Sequence, residues 1–423
     1  MRTKISFVSF ILSLALIACT SEITVVPTKT AVQETLLPVP LVTVDQIPSS
    51  TITQQFDSSF DCTFPKNSQS IPAFLNGTLL TMNGSNNIEL YNLSTNETIT
   101  LGQVVIGTGV ISNRQKVAYI DGDENQVSVV SSNGEILASV PAPENWVEII
   151  DWPDSEHLII GNMPYRSDGG WYPPSSTIIL NIKNGQSIEM LPEYPDIYKY
   201  ISGPPRMGNY SYSLTAYDPT LNRVIYPAGT SKIEYMVLWD VQKMQEITRF
   251  YNYYPYGEIA WNTDGTHFVI SLPPYYETYS GETYRNVSDN LPYVGGNEIF
   301  LASQDGKSKR LTFWTTRKQT TIHSFSWSPN NQYVAFWLET GDEKPEWQLS
   351  ILEITTGEIT SYCIEDEGSL QIIWNSDSSS LISTISKDDS MNHESIFIDL
   401  QSNAAMIWSF ENRMVVGWFE PNQ

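Results

Sequence analysis

The 423-residue chain has little cysteine and little histidine, two residues that enzymes use as nucleophiles, bases and metal ligands. It contains 3 cysteines and 4 histidines, and the histidines lack the His-Glu-x-x-His spacing of a zinc site. It also lacks a Gly-x-Ser-x-Gly turn and a glycine-rich phosphate loop after a strand. The sequence therefore predicts no cofactor and no bound metal, and it gives serine-hydrolase chemistry no support.

Positive charge is also scarce, with 23 lysine and arginine residues against 47 aspartate and glutamate residues and a formal net charge of -24. This balance argues against nucleic acid and anionic lipid as direct partners, because both repel a polyanion. Acidic side chains cluster in loops 121–124, 342–343 and 388–394, without the ligand spacing of a calcium loop. We interpret them as solvated loop acids rather than calcium sites.

One apolar run is long, from Ile5 to Ile17, and it is too short to span a bilayer as a stable helix. With the cationic residues before it, it predicts a secretory signal peptide at 1–18. The residues Leu16-Ile17-Ala18-Cys19 resemble the lipobox of bacterial lipoproteins. The resemblance implies acylation of Cys19 and a lipid-anchored protein on the extracytoplasmic side of the bacterial cell envelope, with Cys19 as its one membrane contact. An ordinary secreted chain is the alternative.

Residues 19–60 are rich in threonine, valine and proline, with prolines at positions 27, 38, 40 and 48. Such sequence cannot bury enough apolar surface to offset its ordering entropy. We therefore expect a disordered tether between the anchor and a folded region at 61–423.

The remaining cysteines, Cys62 and Cys363, are free to pair outside the cytoplasm. A disulfide would join the segment before the first repeat to the outer part of the sixth. Two separate thiols are the alternative.

Seven times the chain repeats an apolar strand, a polar turn and a second short apolar strand. A period of roughly 40 to 65 residues is typical of stacked four-stranded units, because one unit cannot bury its own apolar face. The copies are IELYNLSTNETI from Ile88, VSVVSSNGEIL from Val127, IILNIKNGQSI from Ile178, MVLWDVQKMQEI from Met236, IFLASQDGKSKRL from Ile299, LSILEITTGEI from Leu349 and IFIDLQSNAAMI from Ile396.

A second repeat places an aromatic residue at the end of a strand, a tight turn of Asp, Asn, Pro or Gly, and β-branched residues after it. This order predicts a β-hairpin. Its copies are DWPDSEHLIIG from Asp151, AYDPTLNRVIY from Ala216, AWNTDGTHFVI from Ala260, SWSPNNQYVAF from Ser326 and IWNSDSSSLIS from Ile373. With LWD at 238–240, they resemble TolB-type and WD-repeat β-propellers over most of residues 75–420. The resemblance implies a scaffold for protein or ligand contacts.

The tryptophans that share one repeat position are predicted to pack between neighbouring blades: Trp152, Trp261, Trp327, Trp374 and Trp418. Residues 414–419, MVVGWF, have the pattern of an inner strand with no blade after it, whereas the first blade has only a doubtful inner strand. We therefore predict an all-β fold, a seven-bladed β-propeller of four-stranded antiparallel blades closed by the C-terminal strand.

Long insertions fall between the second and third strands of a blade or between blades, and parity places them on one face. They hold most of the tyrosines of the chain, which suit a contact surface. Packing of these tyrosines against each other and nearby prolines is the alternative. The residues we select as a ligand-binding face are Trp171, Tyr172, Tyr253, Tyr254, Tyr275, Tyr276 and Tyr279.

Inner strands start at that face, and counting back from their aromatic ends predicts a polar ring at the mouth of a central channel. Its members are Glu148, Glu258, His323, Gln371 and Arg413. A carboxylate pair can hydrolyse a glycosidic bond, so Glu148 and Glu258 are the best enzyme candidate. A water-filled polar funnel is the simpler interpretation.

Together these features predict a protein-binding or assembly module whose partner is an envelope protein or a glycan. No residue is assigned to catalysis. A carbohydrate-binding or carbohydrate-active propeller that uses the channel-mouth carboxylates is the alternative function.

Overall fold

The computed structural model describes residues 60–68, 75–104, 109–113, 116–121, 125–142, 146–162, 176–189, 216–230, 233–252, 258–277, 283–285, 294–341, 346–364, 368–387, 392–409 and 413–419. Within these ranges the chain is all-β, apart from one 3₁₀ turn at Trp314–Thr316. The described part contains no helix long and apolar enough to cross a bilayer. Its strands form seven sheets, each built on four antiparallel strands, and one separate hairpin.

The strands of the first three sheets are consecutive in the sequence, except that the first strand of sheet 1 comes from the C-terminus. Sheet 1 contains β2 (Thr78–Asn83), β3 (Asn87–Asn92), β4 (Thr98–Gln103) and, beside β2, β31 (Arg413–Phe419). Sheet 2 contains β5 (Val110–Asn113), β6 (Lys116–Asp121), β7 (Gln126–Ser131) and β8 (Ile136–Pro141). Sheet 3 contains β9 (Trp146–Asp151), β10 (His157–Asn162), β11 (Ser176–Asn181) and β12 (Ser187–Glu189).

The next two sheets continue in the same order, and sheet 5 carries the hairpin. Sheet 4 contains β13 (Ala216–Tyr217), β14 (Arg223–Thr230), β15 (Ile233–Asp240) and β16 (Gln245–Asn252). Sheet 5 contains β17 (Ile259–Trp261), β18 (His267–Leu272), β21 (Glu298–Ser303) and β22 (Ser308–Arg310). The hairpin of β19 (Tyr275–Glu277) and β20 (Thr283–Arg285) is inserted between β18 and β21.

The last two sheets complete the series, and sheet 7 gains a fifth, parallel strand from the start of the described chain. Sheet 6 contains β23 (Thr320–Trp327), β24 (Tyr333–Thr340), β25 (Glu346–Glu353) and β26 (Ile359–Ile364). Sheet 7 contains β27 (Gly368–Trp374), β28 (Ser380–Lys387), β29 (Asn392–Asp399) and β30 (Ala404–Ser409), with β1 (Lys66–Ser68) beside β30.

The central strands are buried on both faces. Successive side chains of a strand point in opposite directions, so each face packs against a different neighbouring sheet. In β24, Val334 and Phe336 join an apolar cluster shared with sheet 5. Ala335 and Trp337, which alternate with them, join a cluster shared with sheet 7. The continuous apolar run of this strand therefore serves two interfaces at once.

The apolar core is divided among the sheet-to-sheet interfaces. Each sheet shares one apolar cluster with the sheet that follows it, and sheet 7 shares one with sheet 1. The cluster between sheets 7 and 1 includes Phe397 and Trp408 of sheet 7 with Leu79 and Trp418 of sheet 1. Every sheet thus buries its apolar faces against two neighbours.

Tryptophans link the first strands of consecutive sheets through hydrogen bonds as well as burial. The indole N–H of Trp327 donates to the carbonyl oxygen of Ala260 in sheet 5 at 2.9 Å. The indole of Trp374 donates in the same way to Ser326 of sheet 6 at 3.1 Å. Trp261 repeats the contact with Ala216 of sheet 4 at 3.1 Å. These tryptophans therefore pack between neighbouring repeat units, here seen as sheets, as the sequence predicted.

Long connections leave sheets 3 and 5 at the same place in each sheet, between the second and third strands. In sheet 3, Asn162 at the end of β10 lies opposite Ser176 at the start of β11. In sheet 5, Leu272 lies opposite Glu298 in the same way. The insertions therefore begin and end where β10 and β18 end, and we call this end of each sheet the loop edge. The short turns that follow the tryptophans lie at the opposite edge, because neighbouring strands run antiparallel.

Candidate functional site

The first strands of sheets 5 and 6 bring Glu258 and His323 together near the loop edge. The Glu258 amide donates to Ser271 Oγ at 3.0 Å, and the Ser271 amide donates to the Glu258 carbonyl oxygen at 2.9 Å. These two bonds hold Glu258 against β18. Its carboxylate then accepts a hydrogen bond from the Ser324 amide of sheet 6 and lies within electrostatic range of His323.

A bulge in β23 begins directly after His323. The pairing of β23 with β24 shifts between His323 and Ser326, and Ser324 adopts a positive φ of 55°. A left-handed residue inside a strand is uncommon, and bulges often re-aim a side chain. Here the bulge places the Ser324 amide on Glu258 while the His323 side chain remains in sheet 6.

His323 is itself held on two sides. Its Nε2 lies 3.1 Å from Oε2 of Glu339, which is hydrogen-bonding distance. Its ring packs against the Trp347 indole with ring centroids 5.2 Å apart. The imidazole is only 6% exposed. Glu258, His323, Glu339 and Trp347 form what we call the sheet 5–6 cluster.

Burial raises the pKa of two carboxyl groups, one of which belongs to this cluster. Desolvation raises the pKa of Glu258 to about 6, against the opposing effects of His323 and the Ser324 amide. Asp151, at the end of β9, shows the same effect, because burial raises its pKa to about 6 although the Trp152 amide donates to it. Both carboxyl groups can therefore exchange protons near neutral pH.

The Glu258→Gln variant should change how stability depends on pH. The folded-state pKa of Glu258 lies above its unfolded value of 4.5, so wild-type folding takes up a proton between those values and loses stability as pH rises from about 4.5 to about 6. At pH 7 the variant should be more stable relative to wild type than at pH 4, by about 1–2 kcal/mol. Urea unfolding of both proteins at several pH values measures this difference.

A matched glutamate provides the control for that series. Glu358 is exposed in sheet 6, so Glu358→Gln should follow wild type across the same pH range. A Glu258→Gln curve that runs parallel to wild type from pH 4 to pH 7 would contradict the prediction.

Arg413 and Gln371, also predicted at the channel mouth, contact the backbone or side chains of neighbouring strands. Arg413 Nε lies 3.4 Å from Glu89 Oε2 within sheet 1, and its guanidinium carbon lies 5.8 Å from the centre of the Tyr91 ring. Gln371 Nε2 donates to the carbonyl oxygen of Val416 at 3.1 Å and so links sheets 7 and 1. These side chains hold strands together.

The remaining predicted residues fall largely outside the described part. Glu148 lies in β9 opposite Gly161, but its side chain is outside the described residues. The pairing of Glu148 with Glu258 therefore stays a prediction. The backbones of Tyr275 and Tyr276 belong to β19, opposite Arg285 and Tyr284. Wholly outside the described ranges are Cys19, Trp171, Tyr172, Tyr253, Tyr254 and Tyr279.

Cys62 and Cys363 form a disulfide, with Cα atoms 5.1 Å apart. The sequence left open a disulfide or two separate thiols, and the structure shows the disulfide. Cys363 belongs to β26, the outer strand of sheet 6.

Within the described ranges the His, Cys, Asp and Glu side chains form no metal-binding group, and one histidine–aspartate pair lies in sheet 3. No group of three or more His, Cys, Asp or Glu residues there is placed to hold a metal ion. His157 Nδ1 lies 2.7 Å from Asp154 Oδ2, and its Nε2 lies 3.2 Å from Asn181 Nδ2. These contacts tie a turn of sheet 3 to the end of β11, so the pair has a structural role.

The sequence analysis selected Glu258 and His323 as candidates but not the two residues that contact His323. Glu339 and Trp347 lie on β24 and β25, where they are paired with each other across the strands. The only signal for them was their position near the ends of apolar strands. Their contact with His323 follows from the regular register of β23, β24 and β25, which the sequence does not reveal.

No protein-family model and no curated protein matches the chain. Among solved structures, TolB from Acinetobacter baumannii is similar at 10% identity and a TM-score of 0.44, covering 81% of this chain and 82% of that one. A functionally unknown protein from Desulfotomaculum acetoxidans has 11% identity and a TM-score of 0.48, with 82% and 100% covered. A chain of the mitotic checkpoint complex has 12% identity and a TM-score of 0.46, with 84% and 97% covered. The strand pairing of this chain defines its seven sheets independently of these similarities.

Proposed function

We propose that the seven sheets are the blades of one seven-bladed β-propeller, closed where β31 joins sheet 1. Two observations support the ring. The apolar clusters run from sheet to sheet and include one between sheets 7 and 1. The pairing of β31 with β2 runs from Phe419 opposite Thr78 to Arg413 opposite Asn83. A closed ring leaves no exposed sheet face at its ends.

We further propose that this propeller is exported and anchored by acylated Cys19, with 1–18 as its signal peptide and 19–60 as its tether. The lipobox-like residues before Cys19 support this arrangement. A disulfide between Cys62 and Cys363 also fits an extracytoplasmic protein, because such bonds persist in oxidising compartments.

At the envelope, the propeller acts as a protein-binding or assembly module through the aromatic connections of its loop edge. The observation that carries this proposal is that the long connections of sheets 3 and 5 both join the second strand to the third, at the loop edge of each sheet. Tyrosine and tryptophan on such connections offer large contact area with a polar tip, which is typical of protein interfaces.

Replacement of Trp171 and Tyr275 by alanine should abolish co-purification of a specific partner from solubilised envelope. Each aromatic anchor of an interface contributes about 2 kcal/mol or more, so the double variant should weaken binding by at least roughly a hundredfold. The measurement compares the captured partner for wild-type and variant full-length chains, with thermal unfolding recorded for both.

A double variant at the opposite edge is the matched control. Met244 and Ile136 are 59% and 69% exposed and lie at turns between third and fourth strands, so their replacement by alanine should leave capture unchanged. Partner capture retained by the Trp171 and Tyr275 variant would disprove the loop-edge proposal. Polysaccharide binding that is lost in Glu258→Gln would favour the carbohydrate alternative instead, which the raised pKa of Glu258 supports.

A further inference from the structure

A segment ahead of sheet 1, residues 60–68, lies across the outer strands of two other sheets, and we call it the strap. The Thr63 amide donates to the Ser361 carbonyl oxygen at 2.9 Å, and the Cys363 amide donates to the Thr63 carbonyl oxygen at 3.0 Å. The disulfide of Cys62 and Cys363 lies beside these two bonds. The first half of the strap is therefore fixed to β26 of sheet 6.

The second half of the strap continues onto sheet 7. There β1 runs parallel to β30, with Lys66 opposite Met406 and Ser68 opposite Trp408. The strap thus covers the outer edges of both sheets before the chain enters sheet 1.

Few side chains of the strap are buried against the sheets. Phe64 is 67% exposed, and Asp61, Thr63, Lys66 and Asn67 are also exposed. Phe60 is partly buried in the cluster between sheets 5 and 6, and its carbonyl oxygen accepts from Gln348 Nε2 at 3.1 Å. Segments with few buried apolar contacts and exposed backbone hydrogen bonds open at low free-energy cost.

The two edges under the strap lack the usual protection against strand addition. The sequences of β26 and β30, ITSYCI and AAMIWS, contain no charged residue and no proline. In contrast, the outer strand of sheet 4 carries the charged pair Glu246 and Arg249. Exposed edges in natural sheets are commonly guarded by charge, proline or bulges. Here the strap itself supplies that cover.

We propose that the Cys62–Cys363 disulfide is a redox latch for the strap. When it is oxidised, the strap stays on sheets 6 and 7. When it is reduced, the strap leaves and uncovers the outer edges of β26 and β30, while the seven sheets remain intact. The pairing of β31 with β2 involves no strap residue, so it does not depend on the latch. The latch is also independent of binding at the loop edge.

The reductant for this step is a dithiol. One of its thiolates attacks a sulfur of the disulfide, and the other sulfur leaves as a thiolate that takes up a proton. The second thiolate of the dithiol then attacks the mixed disulfide and releases the remaining cysteine thiol. Cys62 and Cys363 together gain two electrons and two protons, and the dithiol becomes a disulfide.

Hydrogen exchange of the full chain with and without dithiothreitol tests the latch, with alkylation used to verify that both thiols are free. We expect exchange in peptides covering 60–68, 359–364 and 404–409 to rise at least about tenfold on reduction, because their amides lose strap contacts. Exchange in peptides covering 78–83 and 413–419 should stay the same, because β2 and β31 remain paired.

A variant in which both Cys62 and Cys363 are replaced by serine is the matched control. It should show the fast exchange of the strap without reductant, and dithiothreitol should change nothing further. Slow exchange of the strap in the fully reduced protein would overturn the proposal, because the noncovalent contacts would then suffice. Faster exchange at 413–419 on reduction would also overturn it, since the disulfide would then hold the sheets themselves together.

Discussion

Deletion of Met414–Gln423 is expected to abolish cooperative unfolding of the protein. The deletion removes nearly all of β31, whose Val415, Val416 and Phe419 are each at most 2% exposed. Full burial of a large apolar side chain contributes about 1.5–3 kcal/mol. With Trp418, these four side chains contribute roughly 6–12 kcal/mol, which is comparable with the whole stability of a typical domain.

Loss of β31 also uncovers the edge of β2 and opens the clusters that sheet 1 shares with sheets 2 and 7. The measurement is urea unfolding followed by tryptophan fluorescence and circular dichroism. A truncation that removes only residues 420–423 is the control, because it leaves β31 whole. If the longer deletion unfolded with the midpoint and slope of the full chain, the C-terminal strand would not close the propeller.

Regular strands were predictable because burial on both faces leaves a strong pattern in the sequence. The run VAFWL at 334–338 is apolar throughout, and the structure places alternate members in two clusters. The tryptophan before each tight turn was equally informative, since its size and its indole N–H suit one position between neighbouring first strands.

The strap was not predictable as a strand. Its pairing segment, Lys66-Asn67-Ser68, is polar and three residues long, so it shows neither apolar alternation nor a β-branched run. Cys62 and Cys363 are separated by 301 positions, and two cysteines far apart in sequence reveal their pairing only once the fold is known.

The candidate site was predictable in part. Position in the repeat placed Glu258 and His323 near one another on neighbouring first strands. The hydrogen bond from the Ser324 amide to Glu258 was not predictable, because a serine in a strand does not signal a left-handed backbone. Counting along the repeat predicted Arg413 at the same mouth, but it did not reveal that Glu89 of sheet 1 is its ion-pair partner.

A buried ion pair at the end of sheet 5 also escaped prediction, because a glutamate at the start of a strand is usually exposed. Glu298 is fully buried, and its Oε1 lies 2.8 Å from Nη2 of Arg310. The same oxygen accepts hydrogen bonds from the Thr315 amide at 2.7 Å and from Thr315 Oγ1 at 2.6 Å, and Oε2 accepts from the Thr312 hydroxyl. These bonds fix the connection from sheet 5 to β23, which carries His323.

Replacement of Glu298 by glutamine should therefore destabilise the protein strongly. The variant keeps the shape of the side chain but leaves the Arg310 guanidinium buried without its counter-charge, and breaking such a pair costs about 3–5 kcal/mol. Arg310→Met should cost a similar amount, because it leaves the Glu298 carboxylate unpaired. The free energy of unfolding, measured by urea titration at pH 7, gives both values.

The double variant with Glu298→Gln and Arg310→Met separates charge pairing from packing. It leaves no unpaired buried charge, so its destabilisation should be smaller than the sum of the two single effects, by more than about 1 kcal/mol. Lys307→Met is the control on the same outer segment, since this lysine is 76% exposed and its ion pair with Asp305 should contribute little. Additive single effects would mean that Glu298 is stabilised by the threonine hydrogen bonds alone, and that the connection to His323 does not depend on the ion pair.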